Sequence, residues 1–280
     1  GATAVLMSGR PTPESVMAQL KEHNPTIYYG VPTLYGAMLA DENCKPENGS
    51  NAMRACVSAG EALPEDIARR WKERFGVDIL DGLGSTEMLH IFLSNAPDDV
   101  RYGTSGKAVP GYDLKLVDED DQPVGEGEIG ELLVRGPTTA SVYFNNRAKS
   151  TATFQGAWTR TGDKYTQDSD GYFVYSGRSD DMLKVGGIWV SPFEVESAVL
   201  AHEAVLEVAV VGKADDKDLI KPQAHIVLVE GQQGSDELVE ELKAFVKDRL
   251  ALYKYPRWIE FVDELPKTAT GKIQRFKLRA

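Results

Sequence analysis

Two short segments combine glycines with polar side chains in an order that suits a nucleotide. "SAGEALP" spans residues 58–64 and "DGLGSTE" spans residues 81–87. Glycines leave room for a planar ligand to lie against the backbone. The hydroxyls of Ser85 and Thr86 and the carboxylate of Glu87 suit phosphate oxygens and a Mg²⁺ ion. For either segment taken alone, an ordinary glycine turn is the alternative interpretation.

A third segment, "LPKTATGK" at residues 265–272, places a lysine after a glycine close to the end of the chain. It is not a Walker phosphate loop, because Pro266 stands where that loop needs glycine and Ile273 follows the lysine instead of Ser or Thr. A solvated lysine on a surface turn is the alternative for Lys272.

Composition narrows the class of protein. The chain has 280 residues, 26% of them charged, and a formal net charge of −12. That length predicts two domains, or one domain with a lobe. No apolar run approaches the roughly 20 residues of a membrane span, and the negative charge disfavours nucleic acid or anionic lipid as partners. Cys44 and Cys56 cannot form a disulfide framework or a zinc site. We expect a cytoplasmic enzyme.

The order of apolar and amphipathic segments predicts an α/β fold in three sections. Residues 1–102 alternate short apolar runs with helical segments, which predicts a largely parallel sheet that begins near Ala2. Proline near the start of several segments marks helix first turns, where its missing N–H costs nothing. Residues 103–180 read as a small antiparallel β lobe, and residues 181–280 as a separate α+β domain.

One long stretch is specific enough to indicate a family. "WTRTGDKYTQDSDGYFVYSGRSDDMLKVGGIWVSPFEVE" begins at Trp158 and, with "SAGEALP", "GSTE" and "PKTATGK" in the same order, resembles the adenylate-forming superfamily of acyl- and aryl-CoA synthetases, luciferases and peptide-synthetase adenylation domains. The resemblance runs the length of the chain. "TIYYGVPTLYGAML" and "DGLGSTEMLHIFLSN" are similar to the benzoate-CoA ligase group and its hydroxybenzoate relatives.

The resemblance implies a reaction and an architecture. Such enzymes join a carboxylate to AMP at the expense of MgATP, then transfer the acyl group to coenzyme A. Residues 1–180 would be part of a large adenylation domain, and residues 181–280 a mobile C-terminal domain that rotates about a hinge. Members also carry an upstream loop that grips the β- and γ-phosphates, so this chain resembles the C-terminal half of a ligase.

The resemblance also implies residue roles. Lys272 would meet the α-phosphate and the attacking carboxylate, Thr86 would touch the α-phosphate, and Glu87 would hold Mg²⁺. Asp163 and Arg178 would contact the ribose. The nucleotide-binding residues implied are Gly60, Glu61, Ala62, Asp81, Thr86, Asp163, Arg178 and Lys272. The first three would form one wall of the adenine slot, and Asp81 would accept the adenine amino group.

The remaining implied roles concern the acid, the hinge and coenzyme A. The acid-binding residues would be Tyr29, Gly84, His90 and Ile91. A core position is the alternative for His90 and for the tyrosines at 28 and 29. Asp180 would be the hinge, and Gly186 and Gly187 would let the pantetheine arm pass. Lys184 could meet the carboxylate or phosphate in the second conformation, or remain solvated. Leu83 departs from the aromatic residue that most of the superfamily places there.

Rival functions remain open at this point. A 4-hydroxybenzoate, 4-coumarate-type or medium-chain acyl-CoA ligase would keep the same residues, and a non-catalytic nucleotide- or CoA-binding module would keep the fold. Retention of Glu87, Asp163, Arg178 and Lys272 together argues against the last. A peptide-synthetase module is disfavoured because no carrier-domain sequence follows. The expected partner is a small aromatic carboxylate, acetylation of Lys272 would remove its charge, and no oligomeric state is predicted.

Overall fold

The computed structural model describes residues 1–268 and 272–279. Three sheets and a two-stranded hairpin follow one another along the chain. Residues 269–271 of the "LPKTATGK" segment, which include the glycine before Lys272, lie outside the described residues. The helices are α1 (Pro13–His23), α2 (Pro32–Ala40), α3 (Glu65–Phe75), α4 (Arg147–Thr153), α5 (Pro192–Leu200) and α6 (Asp236–Lys247).

The first sheet has five strands in chain order, with α1, α2 and α3 contributing to the core beside it. Its strands are β1 (Ile27–Gly30), β2 (Ala55–Ser58), β3 (Ile79–Gly84), β4 (Ile91–Ser94) and β5 (Lys107–Ala108). Proline stands at the start of α1, α2 and α5, as the sequence predicts. At α1, Thr12 also forms a capping box with Ser15, and at α3 the left-handed Gly76 ends the helix.

The prediction of a largely parallel sheet holds only for its first half. Strands β1, β2 and β3 are parallel, whereas β3–β4 and β4–β5 are antiparallel. Only residues 85–90 connect β3 to β4. A parallel crossover needs a dozen or more residues, so the chain must return alongside β3.

The prediction that the sheet begins near Ala2 is wrong. Residues 1–6 are exposed and form no strand in the described part of the chain; the first strand is β1. The run "TAVLM" is apolar, but an apolar run becomes a strand only when a neighbouring strand supplies hydrogen-bond partners.

The second sheet is antiparallel, in the order β10–β9–β7–β6, with β8 paired to β9. Its strands are β6 (Asp113–Val117), β7 (Gly130–Arg135), β8 (Phe154–Gln155), β9 (Trp158–Gln167) and β10 (Phe173–Arg178). This matches the antiparallel pattern expected of the middle section, although β5 at residues 107–108 pairs with the first sheet. A third apolar cluster, containing Phe92, Leu132 and Tyr165, packs where the two sheets meet.

The last section forms an α+β unit with its own core. The strands β11 (Leu183–Val185) and β12 (Ile188–Val190) form a hairpin, and the third sheet contains β13 (Val205–Ala214), β14 (Ile220–Leu228) and β15 (Trp258–Phe261). Helix α6 makes the crossover between the parallel pair β14 and β15. Helices α5 and α6 bury Val195, Val199, Leu242 and Val246 against this sheet. Among the described residues, no helix has both the length and the apolar character to span a bilayer.

Trp71 anchors the first core, and its removal should destabilise the fold. Its side chain is fully buried, with ring centroids 4.7 Å from Tyr35 and 4.1 Å from Phe75. We expect Trp71→Ala to lower the free energy of unfolding by roughly 3–5 kcal/mol, because it leaves a cavity as well as losing apolar burial. Urea denaturation followed by far-UV circular dichroism measures this. Phe144→Ala is the matched control, since Phe144 is 99% exposed; an equal loss in both variants would contradict the burial argument.

Candidate active site

A cleft of about 1410 Å³ opens where the three sections meet. Loops after β2 and β3 form one side, strands β9 and β10 another, and the segment at 272–275 a third. The position agrees with the rule that α/β sheets present ligand sites at the carboxyl ends of their strands. Ten of the implied site residues line it: Gly60, Glu61, Ala62, Asp81, Gly84, Thr86, Glu87, Asp163, Arg178 and Lys272.

The other implied residues lie outside this cleft. They are Tyr29, His90, Ile91, Asp180, Gly186 and Gly187. Tyr29 is 65% exposed, while its neighbour Tyr28 turns inward with its ring 5.4 Å from that of Tyr35, because successive strand residues face opposite sides. His90 is exposed, so the alternative that it is a core histidine is wrong. Lys184 also lies away from the cleft, with its ammonium 5.2 Å from the Trp189 ring centroid.

Asp81, at the end of β3, brings a buried carboxyl to the cleft. Its Oδ2 accepts a hydrogen bond from Ser105 Oγ at 3.1 Å. Its Oδ1 is buried and has no hydrogen-bond partner among the described residues. Burial raises the pKa of Asp81 to about 8, against the opposing effect of the Ser105 hydrogen bond. A buried polar atom without a partner is costly, so this oxygen is well placed to pair with a ligand group.

Asp163 and Arg178 stand side by side on adjacent strands. They are register partners in the β9–β10 pair, and Arg178 Nη1 lies 3.2 Å from Asp163 Oδ1. Burial raises the pKa of Asp163 to about 6, although the charge of Arg178 opposes the shift. Arg178 is also 3.7 Å from Asp180, which is exposed just beyond the end of β10. The pair presents two carboxylate oxygens and a guanidinium to the cleft.

Thr86 and Glu87 lie in a short 3-10 turn after β3. Tyr143 OH donates a hydrogen bond to Glu87 Oε1 at 2.5 Å, and Ala140 N–H donates to the Glu87 carbonyl at 2.7 Å. Burial alone would raise the pKa of Glu87, but hydrogen bonds led by that of Tyr143 lower it below its ordinary value. Glu87 therefore carries a charge at neutral pH, as a ligand of a hard cation must.

Lys272 reaches the cleft beside Gly60. A Cβ added at residue 60 would lie 3.1 Å from Lys272 Cε, and Gly60 has φ of +94°. Both the close approach and the backbone conformation favour glycine there. On either side of residues 269–271, Lys267 pairs with Ile273 in an antiparallel bridge, and Lys272 N–H donates to Thr268 Oγ1 at 3.1 Å.

Several residues of the site were missed by the sequence analysis. Tyr143 and Ser105 support Glu87 and Asp81, but each is distant in sequence from the group that it supports, so no spacing pattern could reveal them. Arg275 lines the cleft and forms a two-point ion pair with the buried Glu196, at 3.0 and 2.7 Å. The sequence signal that could have identified Arg275 as a cleft residue is its position three residues after Lys272. Leu83 also lines the cleft and packs against the third apolar cluster.

Comparison with known proteins identifies the family. The model of the AMP-binding enzyme family matches residues 1–144, and the model of the AMP-binding enzyme C-terminal domain matches residues 194–272. A benzoate–CoA ligase of Thauera aromatica is 65% identical over the whole chain, which covers 53% of that relative. A 4-hydroxybenzoate–CoA/benzoate–CoA ligase of Rhodopseudomonas palustris is 52% identical over the whole chain, which covers 52% of it.

Solved structures agree on the fold. A benzoate CoA ligase from Burkholderia xenovorans LB400 superposes with a TM-score of 0.95 at 57% identity, over 100% of this chain and 56% of that one. An anthranilate CoA ligase in complex with anthranoyl-AMP superposes with a TM-score of 0.96 at 53% identity, over 99% of this chain and 54% of that one. The chain thus spans about half the length of these relatives. By its sequence models, its α/β architecture and the cleft at its centre, the chain belongs to the family of AMP-binding enzymes.

Proposed function

We propose that the chain is part of an ATP-dependent ligase that converts an aromatic carboxylic acid, benzoate foremost, to aryl-AMP and then to aryl-CoA. One observation carries the proposal: a single cleft collects a partnerless buried carboxyl oxygen, a carboxylate–guanidinium pair, a charged Glu87 and a lysine from a separate section of the chain. Identity to benzoate–CoA ligases over the whole chain supports the choice of acid.

The nucleotide would lie across the floor of the cleft. Asp81 Oδ1 would pair with the adenine amino group, with the 60–62 backbone as the wall beside the ring. Asp163 would accept hydrogen bonds from both ribose hydroxyls, because a carboxylate has two acceptor oxygens, and Arg178 would contact the same sugar. Leu83 offers adenine an aliphatic surface in place of an aromatic ring.

In the first half-reaction a carboxylate oxygen of the acid would bond to the α-phosphorus while the bond from that phosphorus to the bridging oxygen breaks and pyrophosphate leaves. Negative charge develops on the α-phosphate oxygens during this displacement. Lys272, with Thr86, would stabilise it, and a fixed ammonium in a partly desolvated cleft is effective at this.

A Mg²⁺ ion fits the residues present only as a partner of the nucleotide. Among the described residues, no group of three His, Cys, Asp or Glu side chains could hold a metal. Glu87 is a single ionised carboxylate, and Mg²⁺ commonly binds one or two carboxylates together with substrate phosphates. When bound, the ion would neutralise phosphate charge. Glu87 would bind the ion, and the Tyr143 hydroxyl would keep the Glu87 carboxylate in position.

In the second half-reaction the thiol of coenzyme A would lose its proton to solvent, attack the carbonyl carbon and displace AMP. Asp180, exposed beyond β10, is the proposed hinge. Gly186 and Gly187 form the turn of the β11–β12 hairpin with φ of +59° and +86°, and a Cβ at either would meet no atom within 4 Å. Residues 181–280, proposed as the mobile domain, would bring this open turn to the pantetheine arm.

Carboxylate-dependent ATP–pyrophosphate exchange tests the proposed function. The polypeptide assayed carries this chain together with the upstream half that its relatives possess. We expect exchange with benzoate to exceed that with 4-hydroxybenzoate and with hexanoate. Exchange led by hexanoate would identify a medium-chain ligase instead, and the absence of exchange with every acid would favour a non-catalytic nucleotide- or CoA-binding protein.

Lys272→Ala should separate the two half-reactions. We expect aryl-AMP formation to fall roughly 10²–10³-fold, as when another transition-state donor is removed, while thioester formation from supplied aryl-AMP continues. Single-turnover assays of each step measure this. Lys277→Ala, an exposed lysine outside the cleft, is the control. Equal loss in both steps would refute the role given to Lys272.

Gly187→Leu should have the opposite effect. A side chain at this turn would obstruct the pantetheine arm, so we expect thioester formation to fall roughly 10²-fold, as for misplaced reacting groups, with pyrophosphate exchange retained. Gly231→Leu is matched to it, because Gly231 has φ of +87° and equally open surroundings. A similar loss in the Gly231 variant would assign the effect to backbone strain.

Nucleoside binding should depend on pH through Asp163. Because burial raises the pKa of Asp163 to about 6, its carboxylate gains a proton as the pH falls below that value and loses acceptor capacity for the ribose. We expect adenosine affinity to decrease as the pH falls from 7 to 5, a range that lies below the pKa of about 8 of Asp81 and therefore reports on Asp163. Calorimetry with adenosine avoids the phosphate of AMP, which titrates near pH 6 itself. Asp163→Asn should bind weakly at every pH and remove the dependence.

A further inference from the structure

One hydrogen bond joins the loop after β2 to the segment that carries the cleft lysine. The backbone N–H of Ile273 donates to Glu61 Oε1 at 2.9 Å, across 212 residues of sequence. The Glu61 residue lines the cleft, and the proposed adenine wall uses only the backbone of residues 60–62. Its side chain extends toward the last section of the chain, where the proposed mechanism gives it no role.

The position of this hydrogen bond restrains the lysine directly. The Ile273 N–H belongs to the peptide unit that joins the Lys272 Cα to the Ile273 Cα. Because a peptide unit is planar, a hydrogen bond to this N–H restrains the orientation of the plane that contains the Lys272 Cα, from which the Lys272 side chain extends. The other side of that side chain meets Gly60, with Lys272 Cε 3.1 Å from the position of an added Cβ. Residues 60 and 61 thus hold Lys272 at its backbone and along its stem.

The segment itself is firmly attached to its own section. Arg275 is held by the two-point pair with Glu196, which is 6% exposed and also accepts the Val210 N–H at 2.8 Å. On the bridge partner of Ile273, Lys267 Nζ lies 2.6 Å from Glu207 Oε1. Ion pairs at Lys267 and Arg275 thus attach this segment to the last section of the chain, and Glu61 contributes a contact from the loop after β2.

Glu61 is half-buried, so its contact with Ile273 is partly shielded from water. Burial raises the pKa of Glu61, opposed by the Ile273 hydrogen bond and by the charges of Arg275 and Lys272. A hydrogen bond to a carboxylate in such surroundings is stronger than one between neutral groups in water.

We propose that Glu61 is a positioning residue for the adenylation half-reaction: its carboxylate captures the Ile273 N–H and so places Lys272 in the cleft. This proposal rests on the proposed function. Since Lys272 acts in the first half-reaction and leaves for the second, the hydrogen bond serves adenylation and breaks before thioester formation. An interaction that forms in only one state of the cycle stabilises that state and leaves the free energy of the other unchanged.

Three substitutions at residue 61 separate the effect of side-chain length from the effect of side-chain charge. They are assayed in the polypeptide that carries this chain together with the upstream half. Glu61→Ala removes the acceptor and should lower the kcat of aryl-AMP formation about 10- to 100-fold, as expected for loss of a hydrogen bond to a charged group. Glu61→Gln keeps a carbonyl oxygen at the same reach without charge and should fall between the parent protein and Glu61→Ala, because a hydrogen bond to a neutral acceptor is weaker than one to a carboxylate. Glu61→Asp keeps the charge but is one methylene shorter, so it should resemble the alanine variant. Glu65→Ala, which removes an exposed carboxylate paired with Arg69 on α3, is the control and should match the parent.

Two further readouts exclude a merely structural or nucleotide-binding role. Thioester formation from supplied aryl-AMP should be unchanged in all four variants. Hydrogen–deuterium exchange of the Ile273 amide, followed by fragment-resolved mass spectrometry, should accelerate in Glu61→Ala and Glu61→Asp and remain slow in Glu61→Gln.

The outcomes distinguish failure of this proposal from failure of the proposed function. If the parent protein shows no acid-dependent exchange of pyrophosphate, the proposed function fails, and amide exchange at Ile273 still reports the contact. If the parent is active, three results would overturn the role of Glu61: a Glu61→Gln variant as impaired as Glu61→Ala, equal loss in both half-reactions, or a rise in KM for ATP with kcat unchanged.

Discussion

The close return of β4 along β3 is the constraint on which the cleft depends. A Cβ at Gly82 would lie 2.9 Å from the Leu93 carbonyl oxygen, and one at Gly84 would lie 2.6 Å from that of His90. Real side chains cannot occupy such positions, so glycine at both sites lets the antiparallel strand approach. This approach buries Asp81 at one end of the turn and directs Thr86 and Glu87 into the cleft at the other. The nucleotide-binding groups proposed here are thus spaced by backbone geometry.

The cleft shares the acidic character of the chain, which has a formal net charge of −12. Carboxyl groups outnumber cations in the cleft lining, and Arg178, Lys272 and Arg275 are among those cations. Burial raises the pKa of Asp81 and of Asp163, while hydrogen bonding lowers that of Glu87. Perturbed carboxyls that converge in a cleft are typical of functional sites. Here the opposite shifts match the proposed division of labour, in which two carboxyls bind a nucleoside and one holds a cation.

The contact between Glu61 and Ile273 gives the proposed alternation of the last section a local physical basis. A mobile section that must bring a lysine to the α-phosphate needs interactions that exist only when it is closed. One charge-assisted hydrogen bond meets that requirement because it is directional and easily broken. Apolar packing, such as the Tyr175 and Phe193 rings with centroids 5.5 Å apart next to the proposed hinge, has less directional preference. The apolar packing would hold the interface, and the hydrogen bond would position the lysine.

What the sequence determined by itself was the family resemblance, most of the helices and strands, and the ten cleft-lining residues that its motifs carry. These follow from local signals, such as apolar periodicity, proline at helix starts, and polar groups clustered near glycines. Tertiary structure alone decided the rest. The antiparallel half of the first sheet follows from the short connection between β3 and β4, which brings β4 back beside β3. The run after Ala2 pairs with no strand of the described residues. Ser105, Tyr143 and Glu196 became part of the site through contacts between distant segments. The direction of the Glu61 side chain was likewise set by the segment that packs against it, because hydrogen bonding and burial depend on which groups meet in space.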